Sequence, residues 1–411
     1  MTNSTLTVGI IGAGPGGLAL AHGLRRAGIT VTVFDKDHDR ADYVQGFRLR
    51  VRTRGLDALK ANLPDALYQA VLGTAGQAPV ETLSFDEQFR PIAGTEAPVP
   101  GDDAHLEKSV SRITLRQVLL TGLEDVVVFG RRFTGYEENA DGTITARFED
   151  GGAERFDLLV GADGGNSVVR AQLLPEARRI DTGARRFAGK IALDVAESAG
   201  LPRVLLDANV HIRPARGRSL MVTSHRIDRQ AVARFGPIGA DDPAHAALGG
   251  SHFDNTASYV WWNIAFRQDE IAADGVLERA GGAELLSLLT PFTADWHPDL
   301  RRLFALTDPS TVAVIPVRTS VPVPPWPTQA VTLLGDALHS MTYFRALGAN
   351  SALYDAGVLA AVLADVAVGR RPLLEAVAEY EAAARSHGFA AVTDSLAALH
   401  RALNGPEPLA A

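Results

Sequence analysis

Six residues near the start, Gly12-Ala13-Gly14-Pro15-Gly16-Gly17, constrain this chain more than any other segment. They follow a short apolar run, Val8 to Ile11, and open a helical pattern from Leu18 to Arg26 that Gly28 stops. Thr30 to Phe34 then reads as a second, β-branched strand. Strand, glycine turn, helix and strand make a βαβ unit, which requires a parallel sheet. Gly12 permits the tight turn, Gly14 lets backbone approach a pyrophosphate, and Gly17 allows close helix–strand packing. The helix N-terminus opens at Pro15, which has no N–H of its own, and from Gly16 on offers free N–H groups and a positive dipole to phosphates. Asp35, followed by Lys36, ends the second strand where a carboxylate can accept from a ribose diol. The pattern indicates an adenine dinucleotide and does not separate FAD from NAD.

Composition removes several classes. The chain has 411 residues, enough for two or three domains, and a net charge of −8 with only Lys36, Lys60, Lys108 and Lys190 as lysines. No polybasic run exists, so neither nucleic acid nor an anionic membrane surface is an expected partner. Cysteine is absent, which excludes disulfides, thiolate metal sites and cysteine nucleophiles. No HxxxH or HExxH pair is present, and no metal is expected. The start is polar, so no secretory leader is expected, and the longest apolar candidate, Ala352 to Val368, carries Asp355 and Asp365. The expected location is therefore cytoplasmic.

Further along, Gly55 to Leu63 and Ser109 to Leu123 read as helices, and Val126 to Gly161 as a β-meander with turns at Asp141-Gly142 and Asp150-Gly151-Gly152. Asp181 to Phe266 reads mostly as strands, including Arg218 to Thr223 and Ser258 to Phe266. Glu278 to Leu289 and Leu300 to Leu306 should be helical, and Pro322 to Pro327 an irregular connector. A buried strand, Ala330 to Leu334, runs into Gly335-Asp336, and the alanine-rich helices Ala352 to Val368 and Leu373 to Leu403 follow.

Two more motifs narrow the choice: Asp163-Gly164-Gly165-Asn166-Ser167-Val168-Val169-Arg170 after a strand, and Gly335-Asp336-Ala337-Leu338-His339 after another, continued by Gly348-Ala349-Asn350. With the glycine turn, these resemble the three fingerprints of the p-hydroxybenzoate hydroxylase type of flavoprotein, the group A flavin monooxygenases: GxGxxG, DGxxSxxR, and GDAxH with a downstream GxN. They occur in the family order, so the resemblance spans essentially the whole chain.

The resemblance implies an α/β fold: a discontinuous Rossmann-like FAD-binding domain (1–70, 101–178 and 298–370), an inserted antiparallel-sheet substrate domain (71–100 and 179–297), and C-terminal helices (371–411). It implies that FAD is held by the glycine turn, Asp163, Gly164, Gly335, Asp336, Gly348, Ala349, Asn350 and Arg112, with Gly46 and Arg50 meeting it from the loop after the second strand. NADPH or NADH would visit transiently, since no second GxGxxG follows a strand. O2 would add at flavin C4a, and the hydroperoxide would hydroxylate an aromatic, polyketide-like or other electron-rich small molecule. Lys190, His211, Arg213 and His225 fall on sheet segments and are candidates for substrate contact. One departure stands out: Tyr343 replaces the family proline, and Phe344 and Ala346 stand where glycines are common. Those side chains either narrow the space beside the flavin, reshape it for a large apolar substrate, or point into the core. A non-redox cyclase or isomerase keeping FAD as a structural element, and a flavin-binding module without oxygenation, are the alternatives.

Overall fold

The computed structural model describes residues 6–38, 48–77, 79, 81–92, 106–214, 217–228, 230, 257–271, 275–277 and 279–403. The expected βαβ unit is present: Thr7–Ile11 pairs in parallel with Thr30–Phe34, and Pro15–Arg26 is the helix between them. The parallel sheet is completed by Leu158–Gly161 beside the first strand, Val331–Leu333 beyond it, and Val127–Val128 at the other edge. All three fingerprints therefore leave the carboxyl ends of adjacent strands, where open α/β sheets bind their ligands. The meander forms as a three-stranded sheet, Phe133–Glu138, Ile144–Phe148 and Ala153–Phe156.

A second sheet carries, in order, Ala313–Ser320, Arg179–Ala192, Tyr259–Arg267, Ser219–His225, Asn209–Ile212 and Thr82–Phe85. Its pairs are antiparallel except the last. One face packs Phe187, Val222, Trp262 and Ile264 against the helices Gly282–Leu289 and Pro298–Ala305 as a core of its own. The other face looks toward the parallel-sheet body.

Several boundaries differ from the sequence expectation. Ser109 to Ser111 is not helical: it ends the strand Lys108–Ser111, and Ser111 then caps the helix Arg112–Leu120 by accepting from the Thr114 N–H. Short helices Leu193–Ser198 and Arg203–Asp207 interrupt the stretch expected to be mostly strands. Residues 298–320 do not join the cofactor body. Leu300, Leu303 and Phe304 pack in the second core, and Ala313–Ser320 is an edge strand of the antiparallel sheet, where Pro316 is tolerated. The last helix, Leu373–Leu403, is no separate layer either: Tyr380, Ala384 and Val392 lie in the first core, while Leu399 and Leu403 pack on Ala184 and Ala265 of the antiparallel sheet.

The helix Gly348–Ala367 is apolar and long enough to cross a membrane by length and composition. Here it is a central strut, packed against the opening helix, with Asn350 and Asp355 buried.

Candidate cofactor and substrate cavity

The glycine turn separates into packing glycines and one open glycine. Gly12 sits at φ +109°, and an added Cβ would lie 2.4 Å from the Ala162 carbonyl oxygen; at Gly17 it would lie 2.3 Å from the Gly12 oxygen. Gly14 has nothing within 4 Å of that position. Chain packing thus demands Gly12 and Gly17, whereas Gly14 borders open space. The opening helix begins there with no side-chain cap and no acid in its first turn, leaving its N–H groups available to an anion. The helix Gly348–Ala367 likewise starts without a side-chain cap. Gly335, at φ +63°, turns the third strand so that Asp336 emerges exposed beside that second helix end.

These parts border one cavity of ≈ 1420 Å³. Gly14, Pro15, Gly16, Gly17, Gly164, Gly335, Asp336, Gly348 and Ala349 line it from the parallel-sheet side, with Arg50 and Arg112. Eight arginines and three carboxylates (Glu107, Asp336, Asp394) are among its lining residues, so the space favours anions. An open glycine, two uncapped helix ends, a carboxylate facing the space and an electropositive lining fit a flavin dinucleotide.

Other expected cofactor residues act behind this wall. The Asp35 carboxylate is not among the residues lining the cavity: it accepts from the Ala13 N–H at 2.7 Å and the Asp37 N–H at 2.9 Å, which ties the strand end to the glycine turn. Arg116 is fully buried and donates to the Ala13 carbonyl at 3.0 Å and to Asp37 at 3.3 Å, which stitches the same turn. Lys36 is exposed and outside the lining. Asp163 caps the helix Val168–Leu173 through the Val168 N–H at 2.7 Å, and burial raises its pKa. Asn350 clamps rather than lines: it accepts from the Arg52 N–H and donates to the Arg50 and Ala346 carbonyls, at 2.8 to 2.9 Å. Arg170 joins two fingerprints by donating to Gly165 and Ala337 carbonyls, each at 2.8 Å. Arg50 is ion-paired with Glu107 as well as lining the cavity. Gly46 lies outside the described residues.

The Tyr343 segment faces the cavity. Tyr343 and Phe344 both line it, stacked at 4.6 Å between ring centroids, and the Arg186 guanidinium lies 4.5 Å over the Tyr343 ring. Arg345 and Ala346 follow at φ +69° and +51°, the left-handed region that glycine enters without strain. The segment is held from outside: the Thr342 hydroxyl donates to the Ser395 carbonyl at 2.9 Å, and Arg345 pairs with Asp394 at 3.5 Å.

On the antiparallel sheet, Arg213 and His211 line the cavity, but Lys190 and His225 do not. They share its face one and two rows farther along: Lys190 is opposite Trp261, and His225 opposite Tyr259. There the Lys190 ammonium sits 4.4 Å over the Tyr259 ring, and His225 shares a 2.7 Å hydrogen bond with Ser109. Burial, then Arg48 and Lys190, lower the His225 pKa to about 3, so it is a neutral structural group. Residues missed from the sequence complete the wall: Arg48, Arg186, Met221, Trp261 and Asn263. Trp261 and Asn263 belong to a strand whose periodicity marked alternation but not which body its polar face meets.

Asp355 lies between two imidazoles, with His339 Nε2 and His387 Nε2 each 2.7 Å from one of its oxygens. Burial acts against the charged forms, yet the pairing raises the His339 pKa and lowers that of Asp355. The three could hold a metal ion by type and proximity. Two ligands at ~2.1 Å on a tetrahedral ion would stand about 3.4 Å apart, so the 2.7 Å contact between His339 and Asp355 is that of a hydrogen-bonded pair. Asp355 also accepts from the Gly335 N–H at 2.8 Å, which fixes the turn that presents Asp336.

Comparison with known proteins follows the same lines. A family profile described as "FAD binding domain" matches residues 5–234 and 291–395. The chain belongs to that family. Its relatives in the group A flavoprotein family include a dual O-methyltransferase/FAD-dependent monooxygenase of Cercospora beticola, 33% identical over 398 residues, covering 92% of this chain and 44% of that protein. The chain therefore spans less than half the length of that relative. An FAD-dependent urate hydroxylase of Klebsiella pneumoniae is 28% identical, over 91% of this chain and 84% of its own. A solved structure from Photorhabdus luminescens subsp. laumondii, a candidate FAD-containing monooxygenase, superposes with a TM-score of 0.84 at 30% identity, covering 97% of this chain and 99% of that one.

Proposed function

We propose that the protein is an FAD-dependent monooxygenase that consumes NADPH or NADH and O2 and hydroxylates an electron-rich aromatic or polyketide-like small molecule. One oxygen atom enters the substrate, and the other leaves as water with the two electrons from the nicotinamide. The observation that carries this reading is the continuity of one cavity from Gly14 to the antiparallel-sheet face at His211 and Asn263. Bound FAD would supply the redox and oxygen chemistry, which belongs to the cofactor.

The chain's own residues bind, orient and exclude water. N–H groups of Gly14, Gly16 and Gly17 would hold the pyrophosphate, and Asp336 would accept from cofactor hydroxyls. The open helix end at Gly348 and Ala349 would favour negative charge on the flavin ring. Arg112 adds positive charge to that wall. Tyr343 and Phe344 would wall off solvent beside the substrate, and Arg213 would add positive charge to the substrate end of the cavity. The named activities of the Cercospora and Klebsiella relatives support the same reaction class.

The test is flavin content, then NADPH and NADH oxidation with hydroxylated aromatics, and product mass. Bound FAD, substrate-stimulated oxidation and a gain of one oxygen are expected. Protein that stays colourless with excess FAD overturns the reading. Bound flavin without substrate-dependent oxidation would point to a redox-silent cyclase or isomerase, or to a flavin-binding module.

A further inference from the structure

The face of the antiparallel sheet that bounds the cavity is a grid. Strand register places Asn263 opposite Met221, and Met221 opposite His211, so the three stand in one row across adjacent strands. Their chain neighbours Ile264, Leu220, Val222, Val210 and Ile212 point the other way, into the second core. The outer members of the row lie two strand spacings apart, about 10 Å between Cα atoms.

The two ends have opposite hydrogen-bonding character. Asn263 is 2% exposed, and its Nδ2 has no hydrogen-bond partner among the described residues, although the residue lines the cavity. A buried amide donor is unfavourable until an acceptor meets it. His211 is a neutral ring, because burial, then Arg213 and Arg50, lower its pKa to about 4. A neutral imidazole keeps one lone-pair nitrogen as an acceptor. Met221 between them gives an apolar seat.

We propose that Asn263 and His211 form the specificity pair of the substrate site, Asn263 donating to a carbonyl-type oxygen and His211 accepting from a phenolic hydroxyl across the ring. This rests on the reading of the cavity as a substrate site and names its substrate class: hydroxylated aryl ketones and related quinones. Side chains that rise side by side from Cα atoms about 10 Å apart, each using a hydrogen bond of about 2.8 Å, leave roughly 4 Å or more between the two oxygens. Oxygens on adjacent ring carbons are too close to satisfy both.

Equilibrium binding to the flavin-loaded enzyme, followed by tryptophan fluorescence, tests the pair with three probes. These are 6-hydroxy-1-tetralone, 1-tetralone without the hydroxyl, and 5,6,7,8-tetrahydro-2-naphthol without the carbonyl. Wild-type protein should bind the first about tenfold more tightly than either of the others. His211→Leu should erase the preference for the hydroxyl alone, and Asn263→Leu the preference for the carbonyl alone. Equal binding of the three probes by wild type, no binding of 6-hydroxy-1-tetralone, or equal weakening of all three by both variants overturns the pair. Flavin content and NAD(P)H oxidation on the same samples separate the two failures. Intact flavin chemistry with a flat probe series sinks only the pair, whereas absent flavin sinks the parent reading.

Discussion

The two walls of the cavity are made of different materials. On the parallel-sheet side the surface is largely backbone: glycines, uncapped helix ends and one carboxylate, with the side chains Asp35, Arg116, Asp163 and Asn350 bracing it from behind. The opposite wall is a lattice of side chains on a sheet, where Arg186, Asn263 and His211 come from separate strands and Arg213 follows directly after the strand of His211. A backbone surface suits a ligand that does not change, since it tolerates almost no substitution. A side-chain lattice can be rewritten one position at a time without moving the frame.

The largest effects should separate two glycines of the first wall. Gly12→Val drives a Cβ into the Ala162 carbonyl at a left-handed φ, and should destabilise the fold by more than about 3 kcal/mol, read by urea unfolding. Gly14→Val should leave folding and circular dichroism intact but weaken FAD binding by about 100-fold, because only the ligand approaches that position. If Gly14→Val unfolds the protein and Gly12→Val does not, the division between packing and open glycines is wrong.

A pH series probes the second wall. His211 and His225 have folded pKa values lowered to about 4 and about 3 from 6.5, so the unfolded chain binds more protons between those limits. Their contribution to stability is complete above 6.5 and declines as pH falls toward 4. Melting temperature should drop over that window, and His211→Gln should make the slope shallower. A wild-type melting temperature that stays level from pH 6.5 to 4.5 would contradict the buried neutral state. The smallest effect belongs to Lys36→Ala: an exposed side chain outside the cavity should change stability by less than about 0.5 kcal/mol and leave flavin retention unchanged in a dialysis assay.

This contrast also explains what could be read from the sequence. Gly12, Gly335 and Asp336 were legible because tight turns at strand ends accept few residues, and the requirement is local. The braces were half legible: Asp35 was found, but its role depends on Arg116 and Ala13, which lie far along the chain or on backbone. Asn263 left no signal, because its meaning comes from Met221 and His211 on other strands and from the cavity opposite. Lys190 and His225 stand out by residue type, yet neither side chain reaches the space, although Trp261, opposite Lys190, does. The strand Ala313–Ser320 escaped notice because Pro316 argues against a strand except at an edge.

The last helix has a mechanical consequence. At 31 residues it is a rod of about 46 Å, seated on the first core near its start and on the antiparallel sheet near its end, with the Tyr343 segment tethered to its flank. Relative motion of the two bodies must bend this beam or slide one seat, and either movement would drag the aromatic segment with it. The gap between the walls and the aromatic shutter beside it are thereby geared together.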